Sequence, residues 1–187
     1  MQVELEYFAR KETAHGANKR LLSKGLIPCV IYSQGKVGIN GSVKKVEIEA
    51  MLRHLEQNFL PTTIFVLKIE GGKKVKAIVK DIQYKVTTYD VMHIDFLELV
   101  ENHLVTLKVP VRFLRANESV GVKAGGFLRP VMQHIRVRCL PKNIPDFFEV
   151  DVKECNFGST KRVSDIQIPK NVECLEKATD TIVTICK

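Results

Sequence analysis

Two segments hold most of the side chains that could bind a ligand. Residues 10–32 are basic, with one acid, Glu12, against five cations, Arg10, Lys11, Lys19, Arg20 and Lys24. Residues 81–96 are strand-like, and their polar positions carry Asp81, Gln83, His93 and Asp95. Cations hold phosphates, whereas amide, imidazole and carboxylate groups can read the edges of bases. The combination favours an RNA-binding surface over an active site.

The stretch 91–97 predicts a strand with one apolar and one polar face. Side chains alternate along a strand, so His93 and Asp95 lie opposite Ile94 and Phe96. Because a carboxylate is costly to bury, we expect the polar face to be exposed. Three interpretations stay open: a solvated strand face, a site where the carboxylate accepts a guanine amino group, and a metal or acid–base site. The last has the least support, because the sequence offers no third ligand nearby.

The basic segment predicts a short helix from Gly16 to Lys24 that ends at Gly25. Its cations cannot share the apolar side with Leu21 and Leu22, so they point to solvent whatever the function. Runs of charge are usually solvated faces. The segment by itself therefore does not identify a ligand.

Composition narrows the class of protein. The chain has 187 residues, a formal charge of +8 and a pI near 9.3, which suits a polyanionic partner. Its five cysteines have no zinc-knuckle or redox spacing, and Cys29 and Cys139 lie in apolar runs typical of buried free thiols. No apolar run is long enough for a membrane span, and the first residues are not those of a signal peptide. We expect a protein of the reducing cytoplasm.

The apolar pattern divides the chain near residues 98–103. Before that point we predict strands, a helix over 45–57 and a hairpin around Gly71-Gly72. After it we predict strands alone, with a glycine-rich turn at 121–126 and one strand-like run over 130–140. The fold class is therefore mainly β (α+β), in two domains, 1–97 and 98–187. The second domain is expected to be an all-β sandwich or barrel.

The order of motifs resembles a known family. RKETAHGANKRLLSKGLIPCVIY, then DIQ, then HIDF closely resemble the bacterial 5S rRNA-binding ribosomal protein, the twenty-fifth of the large subunit. VPVRF, GVKAGGFL, CLPKNIPDFFEVDV and VSDIQIP resemble the added domain of its long form, the general stress protein CTC type. The motifs cover nearly the whole chain in the family's order.

This resemblance implies a small β-barrel with a few helices that binds the loop E region of 5S rRNA. It assigns phosphate contacts to Arg10, Lys19 and Arg20, and ribose or base contacts to Tyr32, Gln83, His93 and Asp95. Lys11 and His15, in the same basic segment, complete the expected RNA-binding set. The sequence departs from the family where Asn18-Lys19-Arg20 replaces Ser-Arg-Arg. Lysine lacks the forked geometry of arginine, so Lys19 is expected to bind phosphate as a simple charge.

The expected function is that of a non-enzymatic structural component of the bacterial large ribosomal subunit. Its partners would be 5S rRNA and neighbouring ribosomal proteins, with no metal, cofactor, small-molecule substrate or membrane. The alternative is a stress-associated protein-interaction factor whose C-terminal domain carries the main partner surface.

Overall fold

Alternating apolar side chains build the first half of the chain into a barrel. The structure, a computed structural model, describes residues 2–10, 15–33, 37–55, 58–69 and 72–187. Its first compact unit is Met1–His103. The elements described there are β1 (Gln2–Ala9), α1 (His15–Ser23), β2 (Leu26–Tyr32), β3 (Ile39–Lys44), α2 (Lys45–His54), a 3-10 turn (Leu60–Thr62), β4 (Ile64–Ile69), β5 (Lys74–Tyr84) and β6 (Val91–Glu98).

The strands of this unit close on themselves in the order β1-β3-β2-β6-β5-β4. β1 pairs with β4, and β2 with β6, in parallel; the other neighbours are antiparallel. Closure leaves no open sheet edge and turns one side of each strand inward. The small barrel with short helices that the family resemblance implied is therefore confirmed.

The barrel interior is packed with aliphatic and aromatic side chains. Phe65 and Phe96 meet edge to face, with ring centroids 5.8 Å apart. α2 covers the core with Ile48 and Met51. Within the predicted span 45–57 the helix ends at His54, and residues 56–57 lie outside the described residues. The hairpin joining β4 to β5 is also confirmed, although Gly71 at its turn is outside the described residues.

The second compact unit, Leu104–Lys187, consists mainly of strands. They are β7 (Val105–Leu114), β8 (Phe127–Pro130), β9 (His134–Cys139), β10 (Phe148–Asp151), β11 (Thr160–Arg162), β12 (Val172–Cys174) and β13 (Thr181–Cys186), with a one-turn helix α3 (Val120–Lys123) and 3-10 turns at Ala116–Glu118, Pro141–Asn143 and Val163–Asp165. One sheet has the order β10-β7-β9-β12, and the other β11-β13-β8. The β-rich second domain is confirmed.

Two local predictions in this unit were wrong. The stretch 121–126 is a turn only in its second half, because its first residues continue α3, and Gly125 (φ +93°) then reverses the chain. The run 130–140 is not one strand. Pro130 ends β8, which bonds to β13, and β9 begins at His134 in the other sheet.

The five cysteines are free thiols. Cys29, Cys139 and Cys155 are buried, so the prediction for Cys29 and Cys139 is confirmed, while Cys174 and Cys186 are partly exposed. Among the described residues, no helix combines the length and apolar character that a membrane crossing requires.

One glycine of the barrel supports a stability prediction. A Cβ on Gly41 would stand 2.3 Å from the ring of buried Tyr7, which packs across β3 at that point. We expect Gly41→Ala to lower the free energy of unfolding by about 1–3 kcal/mol, because the ring or the strand must shift. Denaturant unfolding of the full chain measures this.

Gly16→Ala is the matched control. Gly16 lies in α1 with open space around the added atom. Alanine is the better helix former, so this variant should be neutral or slightly more stable. Equal stability of the two variants would contradict the packing argument.

Candidate nucleic-acid interface

A polar face runs across three neighbouring strands of the barrel. β6 is bonded to β2 on one edge and to β5 on the other. Gln83 on β5 stands opposite His93 on β6. Tyr32 on β2 stands opposite Leu97, which follows Asp95 by two residues on β6. Tyr32 and Gln83 are exposed, and their strand neighbours Ile31 and Ile82 are buried and partly buried. The four strand residues predicted to read ribose or bases therefore share one outward face.

The centre of this face carries two carboxylates and a histidine. His93 Nδ1 and Asp95 Oδ1 are 2.7 Å apart, and the two side chains are 22% and 25% exposed. Asp81, which is exposed, stands directly opposite Asp95 on β5. Like charges at directly opposed positions destabilise a sheet. A group that donates hydrogen bonds, such as a base amino group, would relieve this pair.

Two β-bulges bracket the face. The register between β5 and β6 shifts once between Val79 and Asp81, and again between Gln83 and Tyr84. Lys80 and Met92 are the extra residues. The side chain of Met92 is 42% exposed and does not point into the core. Bulges increase the local twist and redirect side chains, and they are common beside functional sites. They set the three residue pairs between them apart from the rest of the β5–β6 ladder.

Arg10 lies where β1 ends, and its side chain is held by the basic helix. Its backbone N–H donates to Asn40 O at 3.0 Å, which fixes the residue to β3. Its guanidinium Nη1 donates to Asn18 Oδ1 on α1. Its Nε is buried, and among the described residues it has no hydrogen-bond partner. A pre-positioned guanidinium with a spare donor is suited to an anionic oxygen.

Burial and nearby charges shift the pKa of two side chains, Cys29 and Tyr7. Burial raises the pKa of the Cys29 thiol, the charge of Arg10 lowers it, and the charge of Asp95 raises it. Burial likewise raises the pKa of the Tyr7 hydroxyl, which donates to Ile39 O. The register shows the same closeness: Arg10 bonds to Asn40 on β3, and Val30 on β2 stands between Asn40 and Asp95. The cation and the polar face therefore lie at the same part of the barrel.

The basic helix presents its cations to solvent. α1 packs against β2, with Ala17 buried, while Lys19 and Arg20 are exposed. The helix begins at His15 and is followed by Gly25 (φ +73°), as the sequence predicted for its end. Lys11 lies outside the described residues, and the side chain of His15 is not described. The RNA contacts of these two residues, like those of the rest of the predicted set, stay predictions.

Sequence reasoning missed two members of this surface. Asn18, whose side chain accepts the hydrogen bond from Arg10, was noted only as a departure from the family. The sequence feature that could have indicated this contact is an amide side chain on the helix, eight residues after the arginine. Asp81 was recognised as polar, but its position opposite Asp95 depends on a bulged register. Within the described part of the chain, no three His, Cys, Asp or Glu side chains cluster closely enough to hold a metal ion.

A closed β-barrel with an outward polar face and a cationic helix beside it is typical of proteins that bind RNA. Comparison with known proteins gives a narrower answer. Residues 5–96 match the Ribosomal L25p family, and residues 104–187 match the C-terminal domain of ribosomal protein TL5. The large ribosomal subunit proteins bL25 of Chlamydia pneumoniae and Chlamydia muridarum are each 40% identical to this chain, and that of Chlamydia abortus is 41% identical. Each alignment covers 99% of this chain and 100% of the relative.

The chain therefore belongs to the ribosomal L25p family, in the long form that carries the TL5-type C-terminal domain. It is a structural ribosomal protein and not an enzyme.

The opposed acids on β5 and β6 generate a stability prediction. Asp95→Asn and Asp81→Asn should each raise the free energy of unfolding by about 0.2–1 kcal/mol, because either change removes the same repulsion. Asparagine at 95 still offers an oxygen to His93. Denaturant unfolding of the full chain at low salt measures the effect.

The double variant is the internal control. If the two carboxylates repel each other, the second substitution adds little once the first is made. Fully additive gains, or a loss of stability in either single variant, would contradict the proposed repulsion.

Proposed function

We propose that this protein binds 5S rRNA, at its loop E region, through the outward face of β2, β6 and β5 together with α1. The observation that carries the proposal is the register that sets Tyr32, Gln83, His93 and Asp95 on one face. The proposal assigns this role to the domain 1–97 and treats 98–187 as the C-terminal β domain of the long form.

Membership of the family indicates where in the cell the chain works. As a member of the ribosomal L25p family, the chain is a structural component of the bacterial large ribosomal subunit, and it works in the cytoplasm, where that subunit lies. Besides rRNA, its proposed partners are neighbouring ribosomal proteins.

The proposed surface divides into two kinds of contact. Arg10, Lys19 and Arg20, with Lys11 and His15 in the same segment, bind phosphates and supply affinity without sequence preference. Tyr32, Gln83, His93 and Asp95 contact ribose and base edges. Phosphates repel a carboxylate, so Asp95 adds little bulk affinity and instead favours sites that present an amino group.

Binding of the full chain to 5S rRNA tests the proposal. We expect 5S rRNA to bind more tightly than a regular duplex RNA of equal length at both low and moderate salt. Log affinity should fall linearly with log salt, because several cations displace counterions. Equal affinities for the two RNAs, both lost on adding salt, would leave only a generic basic protein and contradict the proposal.

Two single substitutions separate the two kinds of contact. Arg20→Ala should weaken binding to 5S rRNA and to the duplex by the same factor and reduce the salt slope by about 0.7–0.9. Asp95→Asn should reduce the preference for 5S rRNA, by about tenfold for one good base contact, and leave duplex binding nearly unchanged.

Lys170→Ala is the charge-matched control for Arg20. Lys170 is exposed in the second unit and outside the proposed surface, so its loss should change neither preference nor salt slope appreciably. If Arg20→Ala and Asp95→Asn both keep full affinity and preference, the surface is wrongly assigned.

A further inference from the structure

The two sheets of the second unit differ in how they distribute charge. The strands of the four-stranded sheet contain acids as well as cations, on Glu149, Asp151 and Glu173. Arg136 forms a two-point ion pair with Glu176, with the Nε–Oε1 distance 2.7 Å, and Arg138 lies 3.7 Å from Glu173. Arg136 and Arg138 on this sheet are therefore compensated by acids.

The three-stranded sheet has cations and no acid in its strands. β8 reads FLRP, β11 reads TKR and β13 reads TIVTIC. Arg129 and Arg162 are both exposed, and within residues 104–187 neither side chain forms an ion pair with an acid. The Asp165 carboxylate accepts the Arg162 backbone N–H at 2.9 Å. That hydrogen bond, with the nearby charges of Lys161 and Arg162, lowers the pKa of Asp165.

Cross-strand register places hydroxyls and an aromatic ring beside Arg129. Arg129, Thr184 and Thr160 stand directly opposite one another across β8, β13 and β11. Phe127 stands opposite Cys186, two residues from Arg129 and therefore on the same face. Val183 and Ile185, which alternate with these positions on β13, are buried, so this row points away from the core.

The ring of Phe127 is 54% exposed on this face. A half-exposed ring beside exposed arginines and a pair of hydroxyls can serve a base and phosphates at once.

We propose that this face, made of Phe127, Arg129, Thr160, Arg162 and Thr184, is a second RNA-binding surface, which takes a single strand. The arginines bind phosphates, the threonine hydroxyls bond to phosphate or ribose oxygens, and the ring of Phe127 stacks on an unpaired base. A duplex hides the faces of its bases inside the helix, so it offers the ring nothing to stack on. This inference goes beyond the proposed 5S rRNA site, which lies on the first unit.

The chain carries its own reporter for this surface. Cys186 stands opposite Phe127, Cys174 lies on β12 of the other sheet, and both thiols are partly exposed, whereas the remaining three are buried. A single strand seated on the proposed face covers Cys186 and leaves Cys174 open. Because the reporter belongs to the second unit, the result does not depend on whether the first unit binds 5S rRNA.

The experiment measures alkylation of the two thiols in the full chain by mass spectrometry, with and without a twelve-nucleotide oligouridine. We expect the RNA to slow modification of Cys186 at least fivefold and to leave Cys174 unchanged. Arg129→Gln combined with Arg162→Gln should abolish this protection at the same RNA concentration. The salt slope of binding should also fall by about 1.4, which corresponds to two phosphate contacts on a single strand.

Arg136→Gln combined with Arg138→Gln is the matched control, because it removes the same charge from the compensated sheet. It should keep the protection of Cys186, and Phe127→Leu, which keeps an apolar side chain, should lose most of it. Equal protection of Cys174 and Cys186, no protection of either, or equal effects of the two arginine pairs would overturn the proposal. Protection by a duplex as strong as that by the single strand would overturn the stacking role.

Discussion

The position of β6, bonded on both edges, is the constraint on which the proposed 5S rRNA site depends. β2 holds one edge and β5 the other, so β6 cannot slip by one residue without turning Ile94 and Phe96 out of the core. That restriction fixes His93 and Asp95 outward. The same two neighbours bring Tyr32 and Gln83 to the same surface. The barrel core therefore determines the geometry of polar groups that do not belong to it.

The surface keeps polar groups in arrangements that the free protein does not fully satisfy. Asp81 and Asp95 oppose each other, and the buried Nε of Arg10 has no hydrogen-bond partner within the described residues. Unmatched buried donors and opposed like charges lower stability, and proteins retain them where a ligand supplies the missing partner. An RNA offers both an anionic oxygen for the donor and amino groups for the acids. The groups that lower the stability of the free protein are thus the groups that the proposed function uses to bind RNA.

Much of this architecture follows from the local sequence, and the remainder depends on contacts between distant residues. Alternation identified most of the strands and the face of His93 and Asp95, and Gly25 marked the end of the helix, because each depends on neighbouring residues. The bulges at Lys80 and Met92 reflect how two distant strands fit together. Val46, an apolar residue near the start of α2, is 76% exposed, because the barrel contacts only the side of the helix that carries Ile48 and Met51. The contact of Arg10 with Asn18 likewise arises only when the helix folds back beside the strand.

The parallel pairings of the barrel also set the order in which the protein can form during synthesis. β1 has to wait for β4, and β2 for β6, because parallel neighbours cannot be joined by a tight turn. Such distant pairings fold more slowly than hairpins. The barrel consists wholly of strands that end by Glu98, and no later strand enters it. An emerging chain can therefore complete its first domain while the ribosome is still making the second, consistent with domains folding as units from the N-terminus.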